Sequence, residues 1–453
     1  SRSYSKNTTE FEAGTNGHFG PLEIEYIHRE KRFNPGGETV LYDNYPDYYS
    51  GSTLLRPSDR YQHNVLPDIK GHSNTLKLHT SYTGQIVASA TASRDMTKNQ
   101  FSGVKRRGIS SSATFQYMPS HRVSLFLRLH YIDIEESNAD ITILRGLSNQ
   151  LTYDVRKSID LKKKTAHFIT RIRPFKGLTL IPSYSIESTK RTDTEGWMLT
   201  RGDTLKNTFS IRGLINPVRK LKLRAEYRHV HSKNPLYNFI PEDRDRASLY
   251  LNYYHSPYIQ FTASYSYIYD KRGVTEYYDA LKDAFYTGKD RRGKQHNLLT
   301  TLTVTTLDDL CLSLSFGYYK REEQSTLAFK KFKTGSFTFD NPYMEHSVPY
   351  SDRAIIYMLN ITRQVKPKLQ ISLDLSTTYS KGSFRTTTSI LSGIEDFSRL
   401  KSRDIRAELG SEYRIARDTT IEFDLLYESY RDSINTDLSG RLYRGMLKLT
   451  RTL

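Results

Sequence analysis

Two histidines of one segment have the spacing of a metal-binding pair. His229 and His231 lie two residues apart, so in an extended strand they share one face, and imidazole nitrogens are common Zn²⁺ ligands. Asp243 and Asp245 have the same spacing, but the sequence around them lacks the rest of a calcium-binding loop. Because His229 and His231 continue the register of Tyr227, the pattern favours a place at a membrane boundary over a metal site.

The other reactive side chains do not form a catalytic arrangement. The carboxylate pairs Asp308-Asp309 and Glu322-Glu323 are adjacent, so on a strand their two members point to opposite faces. Cys311 is the single cysteine, which excludes an internal disulfide and a metal site of clustered cysteines. It alternates out of phase with Leu310 and Leu312, which favours a small inward-facing residue over a reactive thiol. The sequence also contains no Gly-rich phosphate loop and no Cys-x-x-Cys-His haem attachment motif, so we predict neither enzymatic activity nor a cofactor bound by this chain.

Charged residues recur at every second position in several segments. In segment 221–228, four apolar residues at odd positions alternate with four charged residues at even positions. An extended strand of this pattern has one apolar and one charged face. The same alternation occurs in 122–131, 368–375 and 405–414. We predict that the charged face lines a lumen and contacts what fills it, through Arg122, Arg128, Lys222, Arg224, Glu226, Arg228, Asp374, Arg406, Glu408, Glu412 and Arg414.

Turn signals separate these strands in pairs. Pro-containing turns are predicted at 118–120, 174–177, 216–217, 255–257 and 366–367, since a turn tolerates the fixed φ of proline. Longer polar connections such as 32–70, 271–294 and 321–352 alternate with them. Many strands end in tyrosine, as expected of an aromatic girdle at a membrane boundary: Tyr131, Tyr184, Tyr227, Tyr265, Tyr267, Tyr318, Tyr379 and Tyr427.

The number of strands follows from these turns. A first strand near Leu22 to His28, eight hairpins and a closing strand from Tyr443 to Leu453 give about eighteen, and an even count places both termini in the periplasm. Segments 141–144 and 151–155 form a possible extra pair, which raises the count to about twenty. We expect residues 1–19 to be a short N-terminal periplasmic segment and residues 20–453 to be the barrel. Helical spacing predicts a short helix within 277–285.

Composition fits this architecture. Hydrophobic residues make up 37% of the 453 residues, little for a globular core of this size, whereas a wide barrel needs an apolar surface on its outer face only. No apolar run reaches the length of a membrane-spanning helix. The predicted fold is therefore all-β: a transmembrane antiparallel up-and-down β-barrel of about 18–20 strands in a bacterial outer membrane, with short periplasmic turns and long extracellular loops. A soluble β-sandwich or solenoid is the less favoured alternative.

The net charge of +18 suggests nucleic acid as a partner at first sight. The lysines and arginines are spread over nearly every loop and strand end, however, without a clustered patch or a recognition motif. Nucleic acid is therefore not expected, and outer-membrane lipid or an acidic protein partner explains the distribution better.

The repeated hairpin has a recognisable sequence pattern. A basic-acidic segment leads into a strand, a Pro turn and a Tyr-ended strand in 243–269, 160–184 and 351–379. From about residue 72 onward, this repeat resembles the porins of outer-membrane porin-cytochrome electron conduits, the MtrB/PioB type. The better-known members of that family resemble longer barrels with an N-terminal cysteine pair, which this sequence lacks.

The resemblance implies that the barrel is a sheath around another protein. Such a barrel holds a periplasmic multihaem c-type cytochrome, insulates its haem chain from lipid and supports extracellular electron transfer to an extracellular multihaem cytochrome. Haem c is then expected on the partner cytochrome. The alternative from a different class is a general or substrate-specific diffusion porin. Less favoured are a receptor-type transporter with a plug domain and an adhesin-like or secretion barrel.

Overall fold

The protein was analysed as a computed structural model. It describes residues 4–37, 40–82, 84–138, 142–145, 148–152, 157–192, 202–237, 239–279, 284–306, 309–329, 343–385, 398–416 and 418–451. The chain divides into two compact units. The first contains Ser1–Arg171, Ser183–Asn207 and Lys233–Tyr237, and the second contains Ile172–Pro182, Thr208–Ser232 and Asn238–Leu453.

Strands dominate the described residues. The first thirteen are β1 (Tyr4–Phe19), β2 (Leu22–Gly37), β3 (Val40–Tyr45), β4 (Tyr48–Ser50), β5 (Thr53–Arg56), β6 (Asp59–Val65), β7 (Ile69–Tyr82), β8 (Ile86–Asn99), β9 (Lys105–Ser120), β10 (Val123–Glu136), β11 (Thr142–Arg145), β12 (Ser148–Thr152) and β13 (Asp160–Ile172). The others are β14 (Leu178–Thr192), β15 (Asp203–Val218), β16 (Leu221–Lys233), β17 (Asp243–Ser256), β18 (Ile259–Arg272), β19 (Thr275–Asp279), β20 (Ala284–Gly288), β21 (Arg291–Thr305), β22 (Leu310–Phe329), β23 (Tyr343–Lys366), β24 (Leu369–Phe384), β25 (Leu400–Arg414), β26 (Thr419–Asp432) and β27 (Gly440–Arg451). A 3₁₀ turn spans Thr436–Leu438.

Nineteen of these strands belong to one antiparallel sheet, which confirms the predicted fold class and lies within the predicted count. In the first unit, antiparallel pairing runs without interruption from β1 through β2, β7, β8 and β9 to β10. Small hairpins, β3 with β6, β4 with β5 and β11 with β12, lie outside the main sheet.

In the second unit, each strand from β16 to β27 pairs with the next strand of the main sheet. The order is β16, β17, β18, β21, β22, β23, β24, β25, β26 and β27. Strands β19 and β20 form a separate hairpin inserted between β18 and β21. The meander topology follows from the sequence, because antiparallel neighbours can be joined by very short turns.

The connections alternate in length as predicted. Two residues separate the paired strands at 121–122, 219–220, 257–258 and 367–368, one to three residues after the turns predicted from proline. Residues 234–242, 273–290, 330–342 and 385–399 connect the opposite strand ends. At one short turn Gly177 has a φ of +91°, and a Cβ there would lie 2.7 Å from the Asn216 carbonyl oxygen. Only glycine fits this turn without strain.

The first strand differs from the prediction. Residues 1–19 were expected outside the barrel, but Tyr4–Phe19 forms β1 and pairs with β2 over its whole length. Consequently Tyr4 lies at the long-connection end of its strand, whereas Arg451 of β27 contacts Asp418 at a short turn. The expectation that both termini lie in the periplasm stays a prediction.

Three other expectations need correction. The extra pair predicted at 141–144 and 151–155 exists as β11 and β12, but it is a separate hairpin; residues 141 and 153–155 lie outside the described residues. The helix predicted within 277–285 is wrong, since Thr275–Asp279 and Ala284–Gly288 pair as antiparallel strands. Much of the predicted loop 321–352 is strand, because β22 continues to Phe329 and β23 begins at Tyr343.

Candidate functional site

The registers of the second unit assign its side chains to two faces. Residues directly opposite each other in an antiparallel pair lie on the same face of the sheet. Lys222 lies opposite Asn252, Asn252 opposite Thr262, Thr262 opposite Thr301, and Thr301 opposite Ser315. We call the face that contains this row the polar face. It includes all nine second-unit residues of the predicted lumen set.

Glu226 is the centre of a charge cluster on the polar face. Its carboxylate accepts hydrogen bonds from Arg212 Nε at 2.8 Å, Arg224 at 3.0 Å and Arg228 at 3.3 Å. Only 13% of the Glu226 side chain is exposed, while the arginines are each exposed by a third to a half. Three cations around one anion leave a net positive charge at this point of the face.

A second cluster lies around Glu408. Arg406 donates a hydrogen bond to Glu408 at 2.7 Å, and Arg444 of β27 approaches the other carboxylate oxygen at 3.9 Å. Asp374 lies directly opposite Glu408 in the neighbouring strand and accepts a short hydrogen bond from Asn360. The structure therefore brings together the predicted residues Asp374, Arg406 and Glu408.

The remaining predicted residues are placed separately. Lys222 lies over the ring of Tyr254, 5.7 Å from its centroid. Glu412 and Arg414 lie near the short turn at the end of β25, and Glu412 is directly opposite Glu422. In the first unit, Arg128 is an exposed residue of β10 opposite Thr114. Arg122 lies in the turn before β10 rather than in a strand.

The sequence prediction missed several charged partners. Arg212 and Arg444 complete the two clusters, and Glu323 accepts hydrogen bonds from Arg291 at 2.5 Å and from Arg321. In each cluster an arginine lies on the same strand two residues from the carboxylate, and this spacing can be read from the sequence. The arginine that another strand contributes depends on the register between strands, which cannot be read from one strand alone.

Cys311 lies on the polar face as predicted. It is opposite Thr305, whose hydroxyl is 3.9 Å from the sulfur, in line with the pairs Thr303–Ser313 at 3.1 Å and Thr301–Ser315 at 2.8 Å. The cysteine thus takes a place in a ladder of small hydroxyl residues across β21 and β22.

The two histidines each bind one aspartate. His229 Nδ1 is 2.9 Å from Asp245, which also accepts a 2.6 Å hydrogen bond from Tyr227, and His231 Nδ1 is 2.7 Å from Asp243. Among the described residues, no group of three or more His, Cys, Asp or Glu side chains is arranged to hold a metal ion. The position of these two histidine–aspartate pairs at a membrane boundary stays a prediction.

The opposite face of the second unit is mainly apolar, and we call it the apolar face. Across β21 to β24, its rows include Leu302, Leu314, Leu359 and Leu375, then Thr300, Phe316, Tyr357 and Thr377, then Leu298, Tyr318, Ile355 and Tyr379. Tyr265 of β18 extends the last row, so three of the predicted girdle tyrosines lie in one cross-strand row. Tyr427 is in the row of Leu375, two rows nearer the short turns. In the part of the chain that the structure describes, no helix is long and apolar enough to cross a membrane.

Comparison with known proteins gives one matching family and several solved structures of similar fold. The family described as "Putative outer membrane beta-barrel porin, MtrB/PioB" matches residues 104–441. No curated protein matches the chain. Among solved structures, the siderophore receptor PirA from Pseudomonas aeruginosa is similar over 98% of this chain and 76% of its own, with 10% identity and a TM-score of 0.45. The FrpB iron transporter from Neisseria meningitidis is similar over 99% of this chain and 80% of its own, with 10% identity and a TM-score of 0.44.

Proposed function

The chain belongs to the MtrB/PioB family of outer-membrane β-barrel porins, and on that premise we propose that it is a sheath that houses a multihaem c-type cytochrome. The cytochrome would enter from the periplasm and pass electrons through the barrel to an extracellular multihaem cytochrome. The porin itself would bind no haem and would take no part in redox chemistry.

The observation that carries this proposal is the pairing of charges on the polar face. In a barrel of this family the polar face is the inner one, because the apolar face must contact lipid. A protein guest in the lumen would desolvate that face, and desolvated charges are costly unless they are already paired. Glu226, Glu408 and Glu323 are each held by arginines of this chain. The face therefore supports a protein contact without leaving these carboxylates unpaired.

The excess of cations also supports an anionic guest. Around Glu226 three arginines face one carboxylate, and Arg246 lies directly opposite Arg228 in the next strand. Haem propionates or an acidic cytochrome surface would complement this charge and orient the guest during entry.

Purification in mild detergent from the native membrane tests the proposal. We expect a red, haem-staining polypeptide to co-purify with the porin in a fixed ratio. If instead the protein is colourless after mild solubilisation and conducts small ions alone in planar bilayers, the sheath function is wrong and the protein is a diffusion porin. Dissociation of the coloured partner by high salt would further show that the contact is largely electrostatic.

A further inference from the structure

Four cations lie side by side on the apolar face of the second unit. Lys320 of β22 is directly opposite Arg353 of β23, Arg353 is opposite Lys381 of β24, and Lys381 is opposite Lys401 of β25. We call these four residues the basic row. With strands about 4.8 Å apart, the row extends over roughly 15 Å along the sheet.

The fold gives no reason for this arrangement. Like charges directly opposite each other in neighbouring strands destabilise a sheet. On the polar face at the adjacent position, Arg321 is opposite Asp352, so opposite signs face each other there. At this position along β22 and β23, unbalanced positive charge therefore lies on the apolar face and not on the polar face, and we take it as the mark of an external anionic ligand.

The basic row is also free to bind. Arg353, Lys381 and Lys401 are exposed, and among the described residues none of them has a carboxylate within ion-pair distance. Lys320 is the exception, since its ammonium group is 2.6 Å from Glu322. Within the described part of the chain, these three cations therefore have no carboxylate as counter-charge.

The position of the row relative to the apolar rows identifies the kind of ligand. The cross-strand row that contains Tyr318 and Tyr379 is the next row of the apolar face, on the short-turn side of the basic row. In β23 the apolar-face residues between Arg353 and Arg363 are Ile355, Tyr357, Leu359 and Ile361. Ten residue steps of about 3.3 Å, tilted by roughly 40°, span about 25 Å in height, the thickness of the apolar band of an outer-membrane barrel. The basic row thus lies at the level of lipid headgroups, at the long-connection end of the strands.

We propose that the basic row binds phosphate-bearing lipid headgroups of the surrounding membrane leaflet. Phosphate oxygens accept hydrogen bonds from ammonium and guanidinium groups, and an array of cations at strand spacing can contact neighbouring phosphates at once. The acyl chains of the same lipids would lie along the apolar rows below. This proposal rests on membership of a membrane-barrel family and does not depend on the cytochrome.

The test uses the full chain reconstituted in phosphatidylcholine membranes with spin-labelled lipids. The motionally restricted fraction gives the association constant of phosphatidylglycerol relative to phosphatidylcholine of the same acyl chains. We expect a clear preference for phosphatidylglycerol, which falls at least threefold in the variant R353Q/K381Q/K401Q, since each cation near an anionic surface strengthens the attraction by about fivefold. The polar-face variant K222Q/R246Q/R414Q removes the same charge and should keep the preference.

A further variant and a further condition of the spin-label experiment make its outcome decisive. The charge-conserving variant R353K/K381R/K401R should keep the preference, which separates loss of binding from loss of folding. Equal loss in both neutral variants would show a net-charge effect and overturn the proposal. Loss of the preference in the natural sequence on adding inorganic phosphate at constant ionic strength would indicate a free-phosphate site and would also overturn it.

Discussion

At the scale of single residues, the carboxylates of the polar face act as centres that hold arginines from neighbouring strands. Glu226 joins Arg212 of β15 to Arg224 and Arg228 of β16. Because its side chain is mostly shielded, its loss would leave three guanidinium groups close together without a counter-charge. The cost is moderated by water, since each arginine is partly exposed.

We predict that Glu226→Gln lowers the free energy of unfolding by about 1–2 kcal/mol, measured by urea titration in detergent. Glu412→Gln is the matched control, since Glu412 lies directly opposite Glu422, and neutralising it relieves a like-charge contact. It should be neutral or slightly stabilising. Equal destabilisation by both changes would contradict the special role of Glu226.

Asp432 orders the connection between β26 and β27. Its carboxylate accepts the backbone N–H groups of Ile434 at 2.8 Å and Asn435 at 3.0 Å. These donors, that of Asn435 foremost, lower the pKa of Asp432 below its ordinary value. The stabilisation is therefore present above the ordinary aspartate pKa of about 3.9 and is lost as the pH falls through the lower folded-state pKa.

We predict that Asp432→Ala increases amide hydrogen exchange at Ile434 and Asn435 several-fold at neutral pH. Asp432→Asn keeps an acceptor oxygen and should have an intermediate effect. In the natural sequence, the protection factors of these two amides should decline only below pH 4. Unchanged protection in Asp432→Ala would show that the backbone geometry alone orders this connection.

At the scale of elements, the sequence predicted most strands because their alternation is strict. Segment 221–228 has one apolar and one charged face, and its register with β17 places those faces as expected. Strand β1 was missed because Tyr4–Phe19 is rich in Gly, Thr, Asn and Glu, so its own alternation is weak. Its pairing with the clearly amphipathic β2 defines it, and that contact cannot be seen in a local window.

The hairpin of β19 and β20 was mistaken for a helix for a related reason. Tyr277 and Phe285 have helical spacing, but the segment packs against the extension of β22, where the Tyr277 hydroxyl donates a 2.6 Å hydrogen bond to the Thr326 carbonyl oxygen. Thr275 and Thr326 are nearly fully buried there. This tertiary contact selects the strand conformation over the local helical periodicity.

Gly288 of this hairpin is closely packed. A Cβ at this position would lie 2.4 Å from Thr275 Oγ1 and 2.8 Å from the Tyr277 ring, so neighbouring atoms would have to move. We predict that Gly288→Ala destabilises the hairpin by about 1–3 kcal/mol and accelerates its cleavage in limited proteolysis. Gly440→Ala, where nothing lies within 4 Å, should leave the cleavage pattern unchanged. Slow cleavage in both variants would show that the hairpin adjusts without cost.

At the scale of the whole molecule, side chains alternate between the two faces of the sheet with a period of two residues. We propose a different partner for each face. The polar face holds internally paired charges, whereas in the basic row on the apolar face only Lys320 has a carboxylate partner among the described residues. The sequence predicted charged positions of the polar face. It did not predict the basic row, because the alignment of cations from four successive strands depends on the register of each hairpin.

From this division between the two faces, we predict that different substitutions weaken the binding of the two proposed ligands. If the polar face contacts the cytochrome, K222Q/R246Q/R414Q should lower the haem-to-porin ratio after a salt wash and leave the preference for phosphatidylglycerol unchanged. R353Q/K381Q/K401Q should have the reverse effects, although it removes the same charge. Haem absorbance per porin and the spin-label association constant, measured on the same preparations, check both. If either variant changed both quantities equally, overall charge rather than the assignment of each face to its own ligand would control binding.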